Sequence, residues 1–391
     1  MTLSRILLAS VFAFSALGII TVPAQAQINP AQAQINNVSE TFHKIRYQPR
    51  IQIALLLDTS NSMDGLINQT KSQLWTLVNE LGEGKKYGQT PIIELALYEY
   101  GNSSLSVGKG YIRQVLSLTT DLDDVSEKLF ELDTNGGQEY AGQVIMKSLD
   151  ELEWSGRKGD MKLIIIAGNE PFTQGPVSWQ SACERAKAGG IIIDTIHCGD
   201  EQTGMRTGWK DAAECTGDIY MTINQDEKYV HVPSPWDDTL LDLNKRLNDT
   251  YIGYGSRGRA LKTRQSVQDS NAASMNKGAE ITRLYAKSKS GYSNESWDIV
   301  DAYKKDADGV LSMGEEKMPE ELKGKTAEER KVFIEEKQTE RSKIQKQISE
   351  LGAKQKTYVT EKHAEMTATK TLDNIMVTAV RKQAAERGFE Y

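Results

Sequence analysis

The residues best equipped for chemistry are Asp58, Ser60 and Ser62, in the run Asp58-Thr59-Ser60-Asn61-Ser62. One carboxylate and two hydroxyls at alternate positions of a turn can converge on a hard cation, which takes oxygen ligands. The plainer reading of the same run is a turn and helix cap, with Ser62 as N-cap and Asp58 as turn residue. Elsewhere the chemistry is thinner. His43, His197, His231 and His363 lack ligand spacing, which argues against zinc. His197 and Cys198 are neighbours on a predicted strand and therefore point to opposite faces, not toward each other as a catalytic pair. No G-x-S-x-G or H-E-x-x-H run occurs. Gly253-Tyr254-Gly255-Ser256-Arg257-Gly258 fits G-x-G-x-x-G, but it follows a predicted helix where a dinucleotide fingerprint needs a strand. It reads as a flexible exit from a domain. Lys304–Glu315 has most of a calcium loop, with Lys304 where position one needs a carboxylate, so a surface turn is expected.

The elements around these residues decide which of them can act together. Ile51–Leu57 is apolar on both faces, the pattern of a central strand covered on both sides. Asp58–Ser62 follows it, and Leu66, Ile67, Leu74, Leu77, Val78 and Leu81 then keep helical spacing up to Gly82. Ile92–Tyr100 predicts the next strand and Tyr111–Leu118 an antiparallel edge strand. Helices are predicted over Asp121–Leu132 and Ala141–Leu152, with the turn-rich Asp133–Tyr140 between them. Leu163–Ala167 is another fully apolar strand, broken by Gly168-Asn169-Glu170-Pro171. A helix around Trp179–Ala188, strands at Ile191–His197 and Ile219–Ile223, and a helix over Asp237–Tyr251 complete the series. Strands alternating with helices predict an α/β fold with a doubly wound, mostly parallel sheet. Asp58–Ser62 then lies at the carboxyl edge, where open α/β sheets place their ligands.

Asp58-x-Ser60-x-Ser62 in this strand-to-helix setting resembles the metal-ion-dependent adhesion site of von Willebrand factor type A domains, a Rossmann-like fold. The resemblance covers residues 47–254, about half of the chain. It implies a divalent cation, Mg²⁺ or else Ca²⁺ or Mn²⁺, through which a protein partner is gripped. Such sites draw a Thr from a second loop and an Asp from a third. At the corresponding positions this chain has Gln138 and Gly168, with Glu139 beside the first and Asn169 and Glu170 after the second. The resemblance therefore implies a variant metal sphere of Asp58, Ser60 and Ser62 completed from Gln138, Glu139, Asn169 and Glu170. An extra carboxylate there would weaken capture of an acidic ligand group.

The chain of 391 residues, with a net charge of −7, is long enough for two or three domains. It has no basic cluster interleaved with aromatics, which makes nucleic acid an unlikely partner class. Arg5, the apolar Ile6–Val22 and Pro23-Ala24-Gln25-Ala26 read as a secretory signal peptide over residues 1–26. Secretion, most simply to a periplasm, is the expected localisation, with no transmembrane segment after cleavage. Cys183, Cys198 and Cys215 predict one disulfide and one free thiol in an oxidising compartment. Cys183–Cys198 fits a helix start and strand end at one sheet edge, and Cys198–Cys215 is the rival. Residues 27–46 form a lead-in. Residues 255–325 read as a polar connector with short helices, and 326–391 as a helical tail opened by the capping pattern Thr326-Ala327-Glu328-Glu329. In the tail a long charged helix is expected to pack as a hairpin on Thr371–Ala385, whose stripe includes Ile375, Met376, Ala379 and Val380. The leading function is a cation-dependent protein-binding module. The alternatives are a metal-free structural or assembly protein that self-associates through its tail and, behind it, an enzyme whose chemistry these motifs do not reveal.

Overall fold

The computed structural model describes residues 48–217, 219–224, 231–365 and 372–391. The expected signal peptide, residues 1–26, and the lead-in, residues 27–46, lie outside the described residues. Six strands form one sheet: β1 (Arg50–Asp58), β2 (Ile92–Tyr100), β3 (Ile112–Thr119), β4 (Met161–Gly168), β5 (Ile192–Cys198) and β6 (Tyr220–Ile223). Their order is β3-β2-β1-β4-β5-β6. All neighbours pair in parallel except β3, which runs antiparallel to β2. The chain turns one way from β1 to β2 and the other way to β4, so the winding reverses beside β1. The crevice outside the carboxyl ends of β1 and β4 is the switch point at which such sheets bind ligands.

The helices of the sheet domain are α1 (Asp64–Glu83), α2 (Leu122–Phe130), α3 (Ala141–Glu151), α4 (Trp179–Gly189), α5 (Glu201–Arg206), α6 (Trp209–Glu214) and α7 (Asp237–Asn248). Strand alternation sends Ile53, Leu55 and Leu57 into one core with α1, α2 and α7. Ala54 and Leu56 enter the other, with α3, α4 and α6. This is why β1 is apolar at successive residues.

Beyond the sheet lie α8 (Gly258–Met275), α9 (Lys277–Ser288), α10 (Ile299–Lys305), α11 (Ala307–Leu311), α12 (Ala327–Glu365) and α13 (Leu372–Glu386). Gln48–Tyr391 is one compact unit. The segment read as a polar connector with short helices begins with two longer regular ones, α8 and α9, with α9 lying on α1 and α7. The tail helices pack on the sheet domain: α12 lies along α7, α9 and α10, while α13 covers α1. Ile344, Ile348, Met376, Ala379 and Val380 are accordingly buried in the first core. The sequence predicted a hairpin of the two tail helices; instead each apolar stripe packs on the domain, which offers it a larger apolar surface.

The disulfide corrects the sequence expectation. Cys183 in α4 bonds Cys215 after α6, with Cα atoms 6.2 Å apart, and Cys198 is a buried free thiol. Helices α4 and α6 share one face of the sheet, whereas the Cys198 side chain enters the core on the other face. The sheet therefore separates Cys198 from both candidate partners. No described helix is long and apolar enough to cross a membrane.

Candidate functional site

Strand β1 delivers Asp58 to the crevice with no exposed surface. Its Oδ1 accepts the Ser60 N–H at 2.8 Å, and its Oδ2 is buried with no hydrogen-bond partner. The run does not serve as a helix cap: a short turn, Asn61–Met63, precedes α1, and neither start is capped by a side chain. The Thr59 N–H donates to the Tyr100 carbonyl at 2.9 Å, which fixes the turn to the end of β2.

Glycines allow this close approach. A Cβ on Gly101, whose φ is +82°, would lie 2.8 Å from both Asp58 Oδ1 and Glu139 Cγ. One on Gly168 would lie 2.5 Å from the Tyr100 hydroxyl and 3.0 Å from Asp58 Oδ2. Gly168 occupies the position where the sequence resemblance implied an Asp. The Tyr100 hydroxyl, donating to the Ala167 carbonyl at 3.0 Å, fills the space that a side chain there would need. Neither Tyr100 nor Gly101 was a sequence-level candidate. Their only sequence signal is their place at the end of an apolar strand, in register with Asp58.

Glu139 is 8% exposed and reaches the Asp58–Ser60 pair. Burial pushes the Asp58 carboxyl up to about 7, against hydrogen bonding from Ser60 and with added repulsion from Glu139. Burial also pushes Glu139 up to about 7, with Glu170 adding repulsion and Ser60 opposing it. From the third loop, Asn169 Nδ2 donates to Ser62 Oγ at 3.0 Å, and Asn169 Oδ1 is buried without a partner. The crevice thus gathers Asp58, Ser60, Ser62, Glu139 and Asn169.

Two other candidates point elsewhere. Gln138 Oε1 accepts the Tyr140 hydroxyl at 2.5 Å, and Glu170 Oε2 accepts from Gln174 Nε2 at 3.1 Å. Both Gln138 and Glu170 line an open cleft beside the crevice. Thr134 donates to Asp64 and is engaged there. Among the described residues no three His, Cys, Asp or Glu side chains form a metal-binding group. The donors in the crevice are two carboxylates, two hydroxyls and an amide oxygen.

The remaining motifs resolve into structure. Gly253 and Gly258 pack backbone to backbone, where a Cβ on Gly253 would lie 2.5 Å from the Gly258 carbonyl oxygen. The glycine run is a tight crossing at the start of α8. Asp306 caps α11 through the Gly309 N–H at 3.0 Å, and Glu315 accepts from the Gly324 N–H at 3.0 Å and pairs with Arg330. These carboxylates are committed to caps and pairs. His197 is buried beside Trp209 with ring centroids 5.7 Å apart, and Cys198 enters the opposite core. Burial lowers the imidazole pKa and raises that of the thiol, which keeps Cys198 in its less nucleophilic protonated form.

The family model of the von Willebrand factor type A domain matches residues 52–232. No curated protein matches the chain. Several solved structures are similar. Proximal thread matrix protein 1 from the mussel byssus is 14% identical over 46% of this chain and 43% of its own, with a TM-score of 0.35. The SpRpn10 VWA domain is 17% identical over 44% and 88%, at 0.35. BatB from Bacteroides thetaiotaomicron, described as a conserved hypothetical protein, is 15% identical over 44% and 90%, at 0.34. The chain spans less than half the length of the mussel protein.

Proposed function

Because residues 52–232 form a von Willebrand factor type A domain, we propose that the protein is a binding module that grips a protein partner through a divalent cation. The cation would be held by Asp58, Glu139, Ser60, Ser62 and the amide oxygen of Asn169. The observation that carries this reading is the buried Asp58 Oδ2, which has no hydrogen-bond partner among the described residues and lies beside a second carboxylate with no basic neighbour among them. A buried polar oxygen without a hydrogen bond costs about 1–3 kcal/mol, more if charged, and is rarely retained without a use. An all-oxygen donor set suits Mg²⁺, Ca²⁺ or Mn²⁺ over softer metals. When bound, such an ion would neutralise the two carboxylates and offer a coordination position to a partner oxygen. The chain's own residues do the rest: Gly101 and Gly168 admit the carboxylates, and Asn169 orients Ser62. Asp58 and Glu139 are ligands in this reading and not an acid/base pair.

Secretion, and with it a periplasmic location, is supported by the leader-like residues 1–26 and by the Cys183–Cys215 bond, which suits an oxidising compartment.

A ligand of the native state raises its stability by about 2.7 kcal/mol at a hundredfold excess over its dissociation constant. The melting temperature of the wild type should therefore rise in millimolar Mg²⁺, Mn²⁺ or Ca²⁺ over that in chelator. Asp58→Ala should abolish the rise. An unchanged wild-type melting temperature with all three ions would overturn the cation reading.

A further inference from the structure

The open cleft next to the crevice has a volume of about 860 Å³ and is lined by Gln138, Glu139, Tyr140, Glu170, Gln174 and Pro176 among others. That is within the usual range for sites that hold a ligand. We propose that this cleft receives a lysine or arginine side chain of the protein partner. The inference rests on the binding-module reading and adds the chemistry of the partner to it.

No residue lining the cleft is basic, although two of them are glutamates. Glu139 is more than nine-tenths buried, faces the cleft and has no ion-pair partner among the described residues. The Glu170 carboxylate is met by the neutral amide of Gln174. The rim thus offers carboxylate and amide acceptors. Ammonium and guanidinium groups are donors only, and match such a lining. The Tyr140 ring supplies a flat face for the alkyl stem or the guanidinium plane. That ring is held in place by Gly175, where a Cβ would lie 2.6 Å from it.

Charge counting points the same way. The two charges of a divalent cation are offset by Asp58 and Glu139, and Glu170 leaves one negative charge over. Without a cation Asp58 and Glu139 keep part of their protons, and Glu170 still leaves the edge negative. In either state it repels a carboxylate and attracts a base, which is where recognition by charge complementarity acts.

The test uses the mature chain in millimolar Mg²⁺ and four capped tripeptides, Gly-X-Gly, with X as arginine, lysine, citrulline or glutamate. Binding is followed by ligand-observed nuclear magnetic resonance at millimolar peptide. The arginine and lysine peptides should bind, with citrulline at least about tenfold weaker and glutamate weaker again. Glu170→Gln should lower affinity for the arginine peptide about tenfold while leaving the Mg²⁺-induced rise in melting temperature intact. Citrulline binding as well as arginine, a preference for glutamate, no arginine binding, or an unaffected Glu170→Gln variant would each overturn the proposal. The two readings fail separately. Arginine selectivity without a Mg²⁺ effect would remove the cation and keep the cleft, and a Mg²⁺ effect without selectivity would do the reverse.

Discussion

At the carboxyl edge of the sheet, Asp58 and Glu139 are buried carboxylates without a basic partner among the described residues. Where α2, α7, α8 and α9 meet, Arg283 and Lys287 are equally buried, yet every charge is answered. Arg283 binds Asp123 at 2.7 Å, Asp269 at 2.6 Å and the Gln265 carbonyl at 3.1 Å, and its guanidinium lies 4.6 Å from the Trp75 ring centre. Lys287 donates to Asp269 at 2.7 Å, Asn244 at 2.9 Å and Asn248 at 2.5 Å. Tyr292 donates to the second oxygen of Asp123 at 2.6 Å. Lys287 and Arg283 hold the Asp269 carboxyl well below its usual range against the effect of burial, while burial holds Asp58 well above its own. The difference separates two uses of buried charge. The closed network fixes the register of α8 and α9 on the sheet domain, and the open pair at the edge is left for something the chain does not supply.

Breaking the closed network should have the largest effect. Arg283→Ala would leave Asp123 without its basic partner in the interior and Asp269 with Lys287 alone, and removing one partner of a buried ion pair costs about 3–5 kcal/mol. Denaturant unfolding of the full chain should show that loss. A change below about 1 kcal/mol would mean the network is not needed to hold the helices.

The open pair should respond to pH in the opposite sense from an ion-paired carboxylate. The folded-state value for Asp58 is about 7, against an ordinary 3.8. The folded protein therefore holds protons that the unfolded chain has released, and this contribution to stability falls as pH rises between those values. In chelator, wild-type stability should decline from pH 5 to pH 8 more steeply than that of Asp58→Asn, by an amount on the order of 1–3 kcal/mol. Added Mg²⁺ should help most at pH 8, because the ion must displace the protons. Parallel pH profiles for the two proteins would show that Asp58 carries no such shift.

Much of the sheet was legible in the sequence because central parallel strands are apolar on both faces. Ile51–Leu57 and Leu163–Ala167 carry that mark, and Asp58 follows from the first of them. The companion loops were less legible. Whether Gln138 or Glu139 turns inward depends on one residue of phase in a segment with no periodicity, and only the close approach of Gly101 selects Glu139. Asn169 and Glu170 diverge for a similar reason: one bonds Ser62 and the other Gln174. The disulfide depends on which face of the sheet each thiol occupies, which the spacing of three cysteines does not encode. The polar look of 255–293 gave helices but concealed their packing on the domain, because Asp269, Arg283 and Lys287 are satisfied by groups distant in sequence. Hydropathy records the charge of these residues and not their partners.

The central claim is that the unpaired carboxylates at the sheet edge are a cation site. Its most direct test is calorimetric titration of the protein with Mn²⁺ near pH 6.5 in two buffers of different ionisation enthalpy, on wild type and Asp58→Asn. One ion per chain, with protons released on binding and no binding by the variant, is the predicted result. No binding by the wild type, or equal binding by the variant, would contradict it.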